Sequence, residues 1–130
     1  MDDHPTPVPL RWGVVVHAAG PGTPPCSAPP KVLSAIAGRP LIDHVLDRAL
    51  ENAAPQDITV VVGHGREPVQ AHILSYEVNT AVQSPQLGTG HALDIGLRAS
   101  DSDPADAILV LSGDVPLLRS ETLQQLREQL

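Results

Sequence analysis

At 130 residues, with 42% of them apolar and a mean hydropathy of −0.01, the chain has the size and balance of one globular domain. Fifteen acids against eight bases give a formal charge of −7, which argues against nucleic acid and anionic membranes as partners. One cysteine excludes an internal disulfide and fits a reducing, cytoplasmic setting, and no apolar run approaches the length of a transmembrane helix.

Residues 1–10, MDDHPTPVPL, are acidic and proline-rich and read as a disordered leader rather than a signal peptide. The folded domain is expected over residues 11–130. WGVVVHA (Trp12–Ala18) is a short continuous apolar run, the pattern of a strand buried on both faces. A Gly/Pro loop follows. LIDHVLDRALENA (Leu41–Ala53) then places Leu41, Val45, Ala49 and Ala53 on one stripe, widened by Leu46 and Leu50, and so predicts an amphipathic helix opened by Pro40. ITVVVG (Ile58–Gly63) predicts a second buried strand, and EPVQAHILS (Glu67–Ser75) a short helix. NTAVQ (Asn79–Gln83) is a brief strand candidate. GHALDIGLRAS (Gly90–Ser100) reads as a helix weakened by Gly96. AILVLSG (Ala107–Gly113) is a further strand, and SETLQQLREQL (Ser120–Leu130) a helix with Ser120 as its N-cap.

Strands alternating with helices imply parallel βαβ units joined by right-handed crossovers. The expected architecture is an α/β fold: a Rossmann-like, open, mostly parallel sheet of about four strands with flanking helices. Ligands gather beyond the carboxyl ends of the strands in such sheets. Here those ends read AAGPGT, GHGR, QSPQLGTG and SGDVP, all rich in glycine and polar residues. A sheet of this size also leaves an open edge, which invites self-association or a partner chain.

The stretch GPGTPPCSAPPK (Gly20–Lys31) occupies the place of a phosphate-binding loop and ends in the chain's one lysine. Five of its twelve residues are proline and carry no N–H for a phosphate. It can be read as a working cradle, a damaged one, or a stiff loop. It is neither a P-loop, which needs Gly-Lys-Ser/Thr, nor a dinucleotide fingerprint, whose third glycine would fall at Pro25. The scattered histidines and single cysteine form no zinc pattern, and no serine has the flanking glycines of a nucleophile elbow.

Read in order, AAGPGT, PKVL, AGRPLIDHVLD, VVGHG, QSPQLGTGHA and LSGDVPLL resemble the nucleotidyltransferase domain of the bacterial bifunctional UDP-N-acetylglucosamine pyrophosphorylases. The likeness runs from Val14 to about Leu130. It implies joining of UTP and N-acetylglucosamine-1-phosphate to give UDP-N-acetylglucosamine and pyrophosphate, with Mg²⁺ as cofactor. Matched position by position, Ala18, Ala19, Gly20 and Gly22 fall in the backbone that meets the uracil or supports the phosphates. Gln83 matches the glutamine that reads the uracil edge, and Gln86, Gly88 and Thr89 the base-and-ribose loop. Asp114 matches the carboxylate that holds Mg²⁺, and Lys31 the catalytic lysine on the phosphates. Taken singly, these residues have plainer readings: Gln83 a solvated strand end, Asp114 a loop former, Lys31 a surface lysine.

The chain also departs from the family pattern. The family loop carries Arg-Met where this sequence has Pro24 and Pro25, and that arginine stabilises the departing pyrophosphate. Family domains continue past the stretch matched here, with a sugar pocket and a second Mg²⁺ ligand. The resemblance therefore implies a partial NTP-transferase domain over 11–130 without its own sugar-1-phosphate pocket. A non-catalytic nucleotide-binding or interaction protein that keeps the fold is the alternative. His17 reads as a strand-end histidine near the site and Cys26 as an ordinary loop thiol. Asp43, Asp47 and Glu51, spaced four apart, read as a solvated helix face.

Overall fold

Residues 11–18, 33–63, 66–83, 89–99, 107–113 and 120–129 are described by the computed structural model. The elements follow the chain as β1 (Trp12–His17), a hairpin of β2 (Ala35–Ile36) and β3 (Arg39–Pro40), α1 (Leu41–Leu50), β4 (Ile58–Val62), α2 (Arg66–Ile73), β5 (Asn79–Val82), α3 (Thr89–Ala99), β6 (Ala107–Ser112) and α4 (Ser120–Glu128). Single turns of 3₁₀-helix cover Pro55–Asp57 and Leu74–Tyr76.

Valine-rich β1 and β4 are buried on both faces, as continuous β-branched runs demand, and they form the centre of the sheet. β1 pairs in parallel with β4 on one side and β6 on the other, and β5 lies beyond β4. The order is β5-β4-β1-β6. The chain builds outward from β1 through β4 to β5, then returns to the other side of β1 with β6. That reversal places a switch point between β1 and β6, where open α/β sheets form a crevice at their carboxyl ends.

One sheet face, carrying Val14, Val16, Ile58, Val60, Val62 and Leu111, packs against α1, α2 and α4 through Ile42, Val45, Leu46, Val69, Ile73 and Leu123. Burying each such side chain contributes about 1.5–3 kcal/mol. The opposite face offers Val15 and Val61 to Ala92, Leu93 and Ile95 of α3. Gly96 is not a weak point there. A Cβ built on it would lie 2.8 Å from Val15 Cγ1 and 3.2 Å from Val61 Cγ2, so its bareness is what lets α3 seat on the sheet. Both outer strands leave apolar side chains partly exposed: Val82 on β5, Ile108 and Val110 on β6. Among the described residues no helix is long and apolar enough to cross a membrane.

The β2–β3 hairpin has no alternating pattern and escapes sequence reading. Its two-residue turn takes positive φ at both Ala37 (53°) and Gly38 (81°), as a type I′ turn requires. The hairpin is pinned to α1: His44 Nε2 donates to the Ile36 carbonyl at 2.9 Å, and Arg39 donates to Asp47 at 2.6 Å and to the Tyr76 hydroxyl at 3.2 Å.

Two sequence readings of α1 need correction. Its buried stripe centres on Ile42, Val45, Leu46 and Ala49, with Leu41 only half-buried. The acidic row is a solvated face only at Asp47 and Glu51. Asp43 is 7% exposed and accepts a 2.7 Å bond from His72 of α2, Asp47 is paired with Arg39, and Glu51 with Arg48 at 2.7 Å. Spacing tells which residues share a helix face, but not that α2 descends onto one end of it.

This cluster makes the one tyrosine a reporter. Burial and then the Asp43 carboxylate push the Tyr76 phenol above its ordinary 10.0, while the Arg39 hydrogen bond pulls the other way. A raised folded-state value means the fold binds the phenolic proton more tightly than the unfolded chain does. Its contribution to stability is full below pH 10.0 and is lost as pH rises through the folded-state value. Phenolate absorbance should therefore titrate higher in the native than in the denatured protein, and Asp43→Asn should lower the native midpoint. Coincident native and denatured curves would contradict this.

Candidate functional site

At the carboxyl rim of the sheet, three strands run one residue past their regular ends by backbone bonds. Ala18 N–H donates to the Val61 carbonyl at 2.8 Å, Gln83 N–H to Val62 at 2.8 Å, and Gly113 N–H to His17 at 2.9 Å. The tips of β1, β4, β5 and β6 are thereby held in register at one edge. Ala18 is 7% exposed and its N–H is committed to the sheet. Any backbone hydrogen bond it makes to a bound group comes from its carbonyl.

Gln83 is 2% exposed, not a solvated strand end. A buried carboxamide needs hydrogen-bond partners, or burial costs about 1–3 kcal/mol. One partner is His91, whose Nδ1 lies 3.0 Å from Gln83 Nε2. A carboxamide nitrogen only donates, so Nδ1 is the acceptor in this contact. This bond also locates the start of α3 beside the β5 tip. The N-terminus of an eleven-residue helix directs N–H groups and a partial positive charge to that end, which favours an anion there.

Charge is distributed unevenly over the described side chains. Arg11 pairs with Asp57 at 2.6 Å, Arg39 with Asp47, Arg48 with Glu51 and Arg98 with Asp94 at 3.0 Å. Each of these guanidiniums already faces a carboxylate of its own chain. Arg11 and Asp57 tie the amino ends of β1 and β4, the edge opposite the rim. Among the described residues no group of three His, Cys, Asp or Glu comes together to hold a metal ion.

Of the residues singled out from sequence, Ala18, Gln83 and Thr89 are described. Ala18 and Gln83 occupy the same rim, and Thr89 opens α3 beside it. Ala19, Gly20, Gly22, Lys31, Gln86, Gly88 and Asp114 lie outside the described residues. Gly113, the residue before Asp114, is held against the β1 tip. His91 went unassigned in the sequence reading. The signal was present, since it lies within the QLGTGHA run, but nothing in a linear motif shows that it reaches back eight positions to Gln83.

Comparison with known proteins gives a consistent result. The sequence model for the MobA-like NTP transferase domain matches residues 14–130. The chain is 52% identical over 113 residues to the bifunctional protein GlmU of Burkholderia orbicola (strain MC0-3), covering 87% of this chain and 24% of that protein. It thus spans about a quarter of the length of the curated relatives it matches. Among solved structures it resembles a nucleotidyl transferase from Methanothermobacter thermautotroptrophicus, with a TM-score of 0.73 and 24% identity, over 91% of this chain and 57% of that one. It also resembles CMP:2-keto-3-deoxy-manno-octonic acid synthetase complexed with CTP, with a TM-score of 0.67 and 24% identity, over 92% and 46%. These structural likenesses speak for the fold.

Proposed function

The chain belongs to the MobA-like NTP transferase domain family, and from that premise we propose that it binds UTP with Mg²⁺ in the crevice between the β1 and β6 tips. The observation that carries this reading is Gln83: a buried carboxamide at the β5 tip, in register with the β1 tip and beside the first turn of α3. Gln83 reads the base, with Gln86, Gly88 and Thr89 around base and ribose. The backbone from Ala18 through Gly22 and the Lys31 ammonium meet the phosphates.

The residues available suit a magnesium ion carried in on the nucleotide. Mg²⁺ keeps waters and substrate phosphates as ligands and needs only one or two carboxylates from the protein. Asp114, which follows Gly113 in the chain, would supply such a carboxylate. Arg11, Arg39, Arg48 and Arg98 already face carboxylates of their own chain; Lys31, the metal and the α3 N-terminus would each help to neutralise a triphosphate. Bound there, the ion would offset charge on the phosphate oxygens.

In the transfer reaction the phosphate of N-acetylglucosamine-1-phosphate attacks the α-phosphorus of UTP, the bond to the bridging oxygen breaks, and pyrophosphate leaves. The attacking oxygen is already anionic and needs no general base. Positioning and charge neutralisation are what the protein must supply. Pro24 and Pro25 in the loop favour a second reading, nucleotide binding without turnover.

Thermal denaturation with UTP, with and without Mg²⁺, tests both readings. At one hundred times Kd, binding adds about 2.7 kcal/mol of stability, a rise of several degrees in Tm. The rise should be larger with Mg²⁺, and Asp114→Asn should remove the metal-dependent increment. Pyrophosphate release on adding N-acetylglucosamine-1-phosphate supports transfer, and a UTP shift without release supports binding alone. No shift with any nucleotide rejects both.

A further inference from the structure

We propose that His17 is a nucleotide-binding residue whose ring N–H donates to the phosphate nearest the nucleoside. The inference rests on the nucleotide-binding reading above. Strand alternation places the ring. Val14 and Val16 pack into the core beneath α1, whereas Val15 meets Ala92 of α3, so His17, two residues on, stands on the α3 face of the sheet. It is the last residue of β1, in register with Val61 of β4 and Ser112 of β6. That puts it at the carboxyl rim, at the junction of β1 and β6 where the crevice opens.

Gln83 lies on the same face, as its bond to His91 of α3 shows. Ala81, two residues before it, pairs with Val61, the residue that pairs with His17. His17 and Gln83 are thus two strands apart across the sheet and two residues apart along it, about 12 Å between Cα atoms at standard spacing and rise. A nucleotide with its base at Gln83 can span that gap and bring its first phosphate to the imidazole. The ring is also unengaged. Half-buried, it makes no hydrogen bond or ion pair with any described residue. An imidazole always carries at least one N–H, and either nitrogen can present it, so the donor needs no particular tautomer. Little nearby competes with an anion for it. β1, β4 and β6 contain no acidic side chain, and on α3 the Asp94 carboxylate already faces Arg98 at 3.0 Å.

Titrating UMP and uridine, both without metal, into wild type, His17→Leu, His17→Asn and His17→Gln tests the proposal, with binding followed in the protein's NMR spectrum. UMP should bind His17→Leu about tenfold or more weakly than wild type, the worth of a hydrogen bond to a charged group. Uridine, which has no phosphate, should bind all four proteins alike. One of the two amide variants should recover most of the UMP affinity, because Asn carries its N–H near the place of Nδ1 and Gln near that of Nε2. Equal losses for UMP and uridine would make His17 a packing residue, and an unchanged UMP affinity in His17→Leu would show that the ring meets no phosphate. Either result overturns the inference alone. A wild-type chain that binds no uridine nucleotide would overturn the proposed function and the inference with it.

Discussion

Pro24→Arg is expected to tighten UTP binding by about ten- to a hundredfold, the worth of a hydrogen bond to a charged group. The loop from Gly20 to Lys31 holds one cation, and prolines at 21, 24 and 25 remove three amide donors from the segment that would wrap the phosphates. The family pattern places at position 24 an arginine that acts on the departing pyrophosphate. The gain should therefore be confined to nucleotides carrying β- and γ-phosphates. UMP, with its α-phosphate alone, should bind equally to both forms. The UTP gain should shrink as salt screens the added charge. Titrating UTP and UMP at two ionic strengths reads all three outcomes. An equal gain for UMP would mean that position 24 does not face the leaving group. Cations in this role can be worth on the order of 10³ or more in rate, so wherever a sugar-phosphate site is supplied, turnover should rise by more than affinity does.

Gly96→Leu is expected to destabilise the fold by about 3 kcal/mol, a fall in Tm of roughly 10 °C for a domain of this size. Ordinary carbon–carbon contact is about 3.5–4.0 Å, whereas even a bare Cβ at position 96 would stand 2.8 Å from Val15 Cγ1 and 3.2 Å from Val15 Cγ2 and Val61 Cγ2. Neither valine can give way. Both are buried, and branching at Cβ leaves each little choice of rotamer. Gly96→Ala should fall between, because about 1 kcal/mol gained in helix propensity offsets part of the overlap. Denaturant melts of the three proteins check the order. An alanine variant more stable than wild type would show that α3 does not press on the sheet at this point. The same substitutions should weaken nucleotide binding, since lifting α3 carries His91 away from Gln83.

Much of the fold was legible before any coordinates. Continuous valine runs at 14–16 and 60–62 have the pattern of strands covered on both faces, and helical periodicity over Leu41–Ala53 predicted an apolar partner layer. Alternation of such runs with helices implied a parallel sheet, whose carboxyl ends then had to be the glycine-rich stretches. The rim, and Gln83 on it, were therefore readable as a candidate site.

Tertiary structure decided the rest, and each case has the same cause. The order β5-β4-β1-β6, the hairpin carried by Ala37 and Gly38, the burial of Asp43 under His72, the need for a bare Gly96 and the bond from Gln83 to His91 all depend on which element comes to lie against which. Periodicity and propensity are local properties, fixed by neighbours within a turn or a pleat. Contacts such as Asp43 with His72, 29 positions apart, arise only when the hydrophobic faces have been packed, because packing is what brings distant polar groups out of water and obliges them to find each other.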